Sequence, residues 1–260
     1  MSAPQRGEAG LERTYAVEVA KWDALASEPT SDERLLVADA DFGAYARRDT
    51  TTAGMAEFLG DLRGREVLEL GSGMGEMTTL LARSGARVTA LDISPGSIAV
   101  ARRRAELHGV DGAIEFVVGA GEELPLPAER FDVVVGKAVL HHLEVGRAAP
   151  ELHRVLRTGG RAAFSEPLGT NPVIAFARDH LPYPGKNPRG ADVPLSYADI
   201  RAWEAPFAVA QHREVQLLEM VQRALGLRPL PRLRRVDDWL LERFPGLGRL
   251  CRYVVITMIK

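Results

Sequence analysis

Three groups of residues in this 260-residue chain have the types and spacing to do chemistry. The first is Gly71-Ser72-Gly73-Met74-Gly75-Glu76, which follows the run Val67-Leu68-Glu69-Leu70. Alternate glycines let a backbone bend tightly and approach a ligand where any Cβ would clash. A dinucleotide loop of the G-x-G-x-x-G type would need glycine at position 76, where Glu76 instead sets a carboxylate against a pyrophosphate. No Gly-Lys-Ser/Thr follows, so the loop is not a P-loop, and a phosphate-free ligand fits it better. The second group is Asp92, 19 residues beyond Gly73, whose carboxylate can accept both hydroxyls of a ribose. Taken singly, the glycines also read as a plain strand-to-helix turn and Asp92 as a helix N-cap. The third group is His141, His142 and Glu166, with Lys137 just before them. An imidazole titrates near neutrality and can take a proton from a hydroxyl, an amine or an acidic carbon.

The elements that must position these residues are legible from periodicity. From Arg65 onward, short apolar runs (Val67 to Leu70, Val88 to Ile93, Ile114 to Val118, Phe131 to Val135, Arg161 to Ser165) alternate with amphipathic helices. Runs apolar throughout suit strands covered on both faces, as in a parallel sheet with crossover helices. Met77, Leu80 and Leu81 share one helical face, and Gly85 is placed to end that helix. Ser94-Pro95 reads as an N-cap followed by proline at the first helical position. Ala148, Leu152, Val155 and Leu156 form another stripe. Open α/β sheets bind ligands beyond the carboxyl ends of their strands, which collects Glu69, Asp92, Gly119, Lys137, His141, His142 and Glu166 in one cleft.

Before this region, Tyr15 to Ala26, Asp32 to Arg47 and Thr52 to Leu62 are helix-friendly. After it, five of the 16 prolines fall between Asn171 and Leu195, a density that predicts an irregular loop without regular helix or sheet. A helix is expected from Ser196 to Trp203, then strands over Arg213 to Val221 and Arg252 to Ile259, with a helical insert containing Val236 to Phe244. The fold class expected is α/β: a Rossmann-like, seven-stranded, mainly parallel sheet with helices on both faces. The domain layout expected is a helical cap over 1–60 and a domain over 61–260, with lid or insert segments at 167–205 and 222–250.

Taken together, the glycine bend preceded by Glu69, the Asp92 strand end, Gly119-Ala120-Gly121-Glu122-Glu123-Leu124-Pro125, Phe131 to Val135, Leu140-His141-His142-Leu143 and Glu151 to Gly160 resemble the class I S-adenosyl-L-methionine-dependent methyltransferases. The resemblance covers about Glu66 to Glu166. It implies the cofactor S-adenosyl-L-methionine, with Gly71, Ser72 and Gly73 forming the bend beneath it and Glu69 holding the methionine end. It further implies Asp92 on the ribose, Ile93 on the adenine face and the backbone of Ala120 and Gly121 on the adenine edge. The family often carries aspartate where Ala120 stands, and Glu122 is the candidate substitute. His141 is the first candidate base, followed by His142 and Glu166. Lys137 joins the cofactor-binding set, a solvated or salt-bridged lysine being the plainer reading. Gly136-Lys137-Ala138-Val139 replaces the Asn/Asp-Pro-Pro-Tyr motif of amino-directed nucleic-acid enzymes of this kind, which disfavours such substrates.

The expected activity is therefore methyl transfer to an O-, N- or C-nucleophile of a small-molecule acceptor, of the kind met in secondary metabolism. Two alternatives stay open: a cofactor-binding enzyme that does not methylate, such as a cyclase, and a nucleotide-dependent oxidoreductase. Lys+Arg 33 against Asp+Glu 35 gives a formal charge of −2, which excludes coating nucleic acid or an anionic membrane through bulk charge. No nucleic-acid or membrane partner is expected, and the chain is read as a cytoplasmic monomer or homodimer. Cys251 is the only cysteine, so neither a disulfide framework nor a cysteine-based metal site is expected. Tyr15, Trp22, Phe42, Tyr45, Phe176, His180, Tyr183 and Tyr197 are candidate lining residues for the acceptor, core packing being the plainer reading for each. Arg228, Arg232, Arg234 and Arg235 form a basic cluster, read first as a solvated face.

Overall fold

The computed structural model describes residues 8–180, 193–224 and 231–260. Four helices come first: α1 (Glu8–Ala26), α2 (Asp32–Leu35), α3 (Phe42–Arg48) and α4 (Thr50–Leu59). The alternating region follows as β1 (Glu66–Leu70), α5 (Glu76–Arg83), β2 (Arg87–Asp92), α6 (Pro95–Leu107), β3 (Ile114–Val118), β4 (Phe131–Lys137), α7 (Val145–Val155) and β5 (Leu156–Pro167). Then come α8 (Pro172–His180), α9 (Tyr197–Glu204), β6 (Val209–Val215), α10 (Glu219–Ala224), α11 (Pro231–Arg243) and β7 (Tyr253–Ile259).

The strands form one seven-stranded sheet in the order β3-β2-β1-β4-β5-β7-β6. Strands β1 to β5 pair in parallel, while β7 runs antiparallel to both β5 and β6. Strand order reverses between β1 and β4, the switch point where an open α/β sheet leaves a crevice at its carboxyl edge. Alternation along β1 sorts its side chains. Leu68 and Leu70 enter the core that includes Leu152, Phe164 and Trp203, whereas Val67 enters the opposite core with Leu80, Leu81 and Val133. Phe42 of α3 and Met55 and Leu59 of α4 belong to that second core, so these two helices pack on the sheet itself.

Four expectations are corrected. Asp32 to Arg47 is two helices, because Leu36 to Asp41 is extended or bent and Asp41 caps α3 by accepting from the Ala44 N–H. The proline-dense stretch contains the regular helix α8: Pro172 sits in its first turn, where proline costs no hydrogen bond, and Asn171 Oδ1 accepts the N–H groups of Val173 and Ile174. Strand β5 is longer than Arg161 to Ser165. The sixth strand is displaced from Arg213–Val221 to Val209–Val215, because Gln216 adopts φ +65° and breaks the run. Buried Asp237 then accepts the N–H groups of Leu218 and Glu219 and starts α10.

Candidate active site

The carboxyl ends of β1 to β4 surround a cleft of about 270 Å³, roofed by α1. Leu70, Gly71 and Gly73 contribute from β1, Leu91 to Ile93 from β2, Gly119 to Glu122 from beyond β3, and Lys137 to Val139 from β4. Thr14, Tyr15, Glu18 and Trp22 reach it from α1, at the spacing of one helical face.

The three glycines of the bend do different work. Each has positive φ: Gly71 +67°, Gly73 +51° and Gly75 +78°. A Cβ on Gly71 would lie 2.5 Å from Val139 Cγ2, and one on Gly75 would lie 2.7 Å from Ala101 Cβ of α6. Those two positions are therefore reserved by the protein's own packing. A Cβ on Gly73 would meet nothing within 4 Å, and Gly73 faces the cleft, so the space above it is open to a ligand. Ser72 is buried, donates its N–H to the Leu91 carbonyl and leaves its Oγ without a partner; its side chain is not part of the cleft wall.

Asp92 ties this bend to the next one. Its Oδ2 accepts the Gly73 N–H at 2.8 Å and its Oδ1 accepts the Ser94 N–H at 2.9 Å. Each oxygen retains a second lone pair, enough for a vicinal diol. Burial raises its pKa above the usual value, against the pull of these backbone donors. Glu69 lies buried beneath the bend, on the face towards α5, where Thr78 Oγ1 donates to its Oε2. Burial pushes its carboxyl up to about 8, opposed by Thr78 and aided by Asp92. Burial makes this acid reluctant to ionise, and a cation brought close would lower its pKa again.

The adenine-edge segment departs from expectation in one respect. Ala120 and Gly121 line the cleft, and so does Glu122, but both Glu122 oxygens are engaged: one accepts the Tyr15 O–H at 2.9 Å, the other the Glu144 N–H at 3.0 Å. Glu122 thus fastens the roof. Burial and the Glu122 carboxylate together raise the Tyr15 pKa. At the other end of α1, Asp23 accepts the Ser94 O–H at 2.6 Å and the Gly96 N–H at 2.9 Å.

The histidines divide. His142 lines the cleft, with Nδ1 3.5 Å from Glu18 Oε1 and Trp22 edge-on to its ring. His141 lies behind it, ring centroids 4.1 Å apart and its side chain 3% exposed. Glu166 is fully buried: Oε1 accepts the N–H groups of Val139 and Leu140 at 2.8 and 3.0 Å, and Oε2 lies 2.7 Å from His141 Nδ1. Lys137 lines the cleft but is bound on its other side, donating to Asp49 Oδ2 and to Tyr45 Oη. Burial works against its charge, yet Asp49 and Tyr45 outweigh burial and raise its pKa.

Of the other lining candidates, Tyr15 and Trp22 are in the cleft, while Phe42 is core and Tyr45 serves Lys137. Phe176 is exposed and stacked on His180, and Tyr197 donates to Glu214. Tyr183 and Arg228 lie outside the described residues. Sequence reasoning missed Thr14, Glu18, Asp23, Asp49 and Thr78. The i, i+4, i+8 spacing of Thr14, Glu18 and Trp22 was the one available signal. Among the described residues no three His, Cys, Asp or Glu side chains cluster as metal ligands, and no helix is long and apolar enough to cross a membrane.

A doubly wound sheet with a glycine bend at its switch point and a ribose-competent carboxylate at the next strand end is the Rossmann-like fold that methyltransferases share. Residues 68–164 match the family model described as "Methyltransferase domain". It is 37% identical over 118 residues to a demethylmenaquinone methyltransferase of Clavibacter sepedonicus, covering 45% of this chain and 46% of that one. It is 34% identical over 128 residues to a phthiotriol/phenolphthiotriol dimycocerosates methyltransferase of Mycobacterium leprae, covering 46% of each. The chain thus spans about half the length of these curated relatives. The geranyl diphosphate C-methyltransferase of Streptomyces coelicolor superimposes with a TM-score of 0.62 over 95% of this chain and 97% of that one, at 14% identity, a likeness of fold.

Proposed function

We propose that this chain transfers a methyl group from S-adenosyl-L-methionine to a nucleophile of a small-molecule acceptor, without a nucleic-acid partner, as a cytoplasmic monomer or homodimer. The observation that carries the reading is the open space above Gly73 flanked by Asp92, whose two oxygens are already aimed by backbone donors. Asp92 holds the ribose, the Ala120-Gly121 backbone and Ile93 hold the base, and Glu69, which lies beneath the bend and outside the cleft wall, acts on the ammonium end through its charge. The bound sulfonium supplies an electrophilic methyl. The chain's part is to hold the acceptor in line about 3 Å from that methyl and to exclude water.

The proton acceptor in this reading is His142, the histidine that lines the cleft, with His141 and Glu166 behind it as positioning residues. A fully buried carboxylate that spends one oxygen on two backbone N–H groups and the other on the His141 imidazole fixes that ring and its tautomer, as buried acids do in catalytic triads. His142, paired with Glu18, forms the wall against which the acceptor rests. The pairing with His142 holds the Glu18 carboxylate below its usual range.

Calorimetry with S-adenosylhomocysteine and with NADH tests the cofactor assignment: heat with the first and none with the second is expected, and the reverse identifies an oxidoreductase. Labelled cofactor with candidate acceptors then tests transfer, since acceptor conversion without label marks a non-methylating enzyme. His142→Ala is expected to lower turnover on the order of 10²-fold or more with cofactor affinity unchanged. Glu166→Gln is expected to lower turnover by releasing the His141 ring, and weakened cofactor binding as the sole effect of either variant removes these residues from catalysis.

A further inference from the structure

We propose that the outward face of α11 is a docking surface for an anionic lipid membrane. Its position follows from topology. Because β7 runs antiparallel to β5 and β6 antiparallel to β7, β6 ends and β7 begins at the edge where the parallel strands end. Helices α10 and α11 lie between them, on the cleft side of the sheet.

The inner face of α11 is accounted for by Asp237, which is buried and caps α10, and by Leu240 and Leu241, which pack on the main core. Arg232, Val236, Trp239 and Arg243 project outward at i, i+4, i+7 and i+11, so they form a single stripe. All four are exposed, Trp239 by 59%, and exposed Arg235 and Glu242 flank them, which leaves the face net positive. Phe244, which follows α11, and Val221 of α10 are also exposed apolar side chains.

An indole and a valine between arginines on an outward helical face match the requirements of the membrane interface. Apolar side chains enter the acyl boundary while guanidinium groups meet lipid phosphates. A polyanion such as RNA would use the arginines but leave Val236, Phe244 and Val221 without a role, which is why the lipid surface is favoured. The formal charge of −2 on the whole chain makes this local patch, rather than the bulk field, the attractive element. The assignment departs from the expectation of no membrane partner, and it is independent of which acceptor is methylated.

The test uses the intact chain in flotation with vesicles of phosphatidylcholine alone and of phosphatidylcholine with phosphatidylglycerol, read also by tryptophan emission. Binding to the anionic vesicles alone, weakened by salt and accompanied by a blue shift, is expected. Trp239→Ala is expected to abolish the shift, because Trp203 is core and Trp22 faces the cleft. Arg232→Gln/Arg243→Gln is expected to lower partitioning by about twenty-five-fold, at roughly fivefold per arginine. These side chains are exposed, and circular dichroism confirms that the variants fold. Equal flotation of wild type and variants overturns the proposal, as does absence of flotation. A concentration-dependent dimer lost in Trp239→Ala, or binding to RNA but not to vesicles, also overturns it and assigns the face to a second copy or to nucleic acid.

Discussion

At the scale of single residues, Glu69 is the group whose environment says most about the ligand. Its carboxyl is held at about 8 by burial, against an ordinary 4.5, so at neutral pH the folded chain keeps it protonated. Between those two values the folded state binds more protons than the unfolded one, so the associated stability is complete below pH ~4.5 and declines as pH rises towards ~8. Glu69→Gln is therefore expected to flatten this decline and to raise unfolding free energy at pH ~8.5 by on the order of 3 kcal/mol, measured by urea denaturation across the pH range. Pairing with a cationic ligand end would draw a proton off Glu69. Calorimetry of S-adenosylhomocysteine in buffers of different ionisation enthalpy should show proton release near pH 7 that Glu69→Gln reduces. Gly75→Ala tests the bend from its packing side: positive φ and the Ala101 contact are expected to cost about 2–4 kcal/mol, read as a lowered denaturant midpoint. Most of this site's residue types were legible in the sequence, since Gly73, Asp92 and Ala120-Gly121 stand where motif and strand ends put them. The pairings were not, because Lys137 and Asp49 are 88 residues apart and Tyr15 and Glu122 are 107 apart. No local periodicity encodes such contacts.

Among the elements, α1 has the most direct bearing on the ligand. Leu11 is buried, but Val17 and Leu25 are exposed, and the helix is fastened largely through polar side chains: Tyr15 to Glu122, Glu18 to His142 and Asp23 to the start of α6. Tyr15→Phe removes one fastening, and cofactor dissociation is expected to quicken roughly fivefold, measured by stopped-flow fluorescence. Amide exchange in α1 should rise in the same variant while that of β1 stays unchanged. The parallel strands were legible because each is apolar on both faces and bounded by turn residues. The misplaced elements share a different cause. Leu217 and Leu218 continue an apolar run past Val215, and only Asp237, 19 residues away, reveals that a helix starts there. Counting prolines likewise overlooked that Pro172 opens α8, a position that tolerates it.

For the molecule as a whole, ligand binding should be visible in global stability. Saturation with S-adenosylhomocysteine at a hundred times its dissociation constant stabilises a folded chain by about 2.7 kcal/mol, which for this size raises Tm by roughly 5–10 °C. Scanning calorimetry with and without the nucleoside measures it, and NADH is expected to leave the transition in place. On the proposed function, the helix that roofs the cleft also orders events in time. A helix clasped to the loops after β2 and β3 stands between a spent nucleoside and bulk solvent, so the used molecule departs only when the clasp parts. Turnover then has a gatekeeper separate from the chemistry: the methylated product can leave first, the nucleoside last, and product-inhibition patterns would carry that sequence of departures.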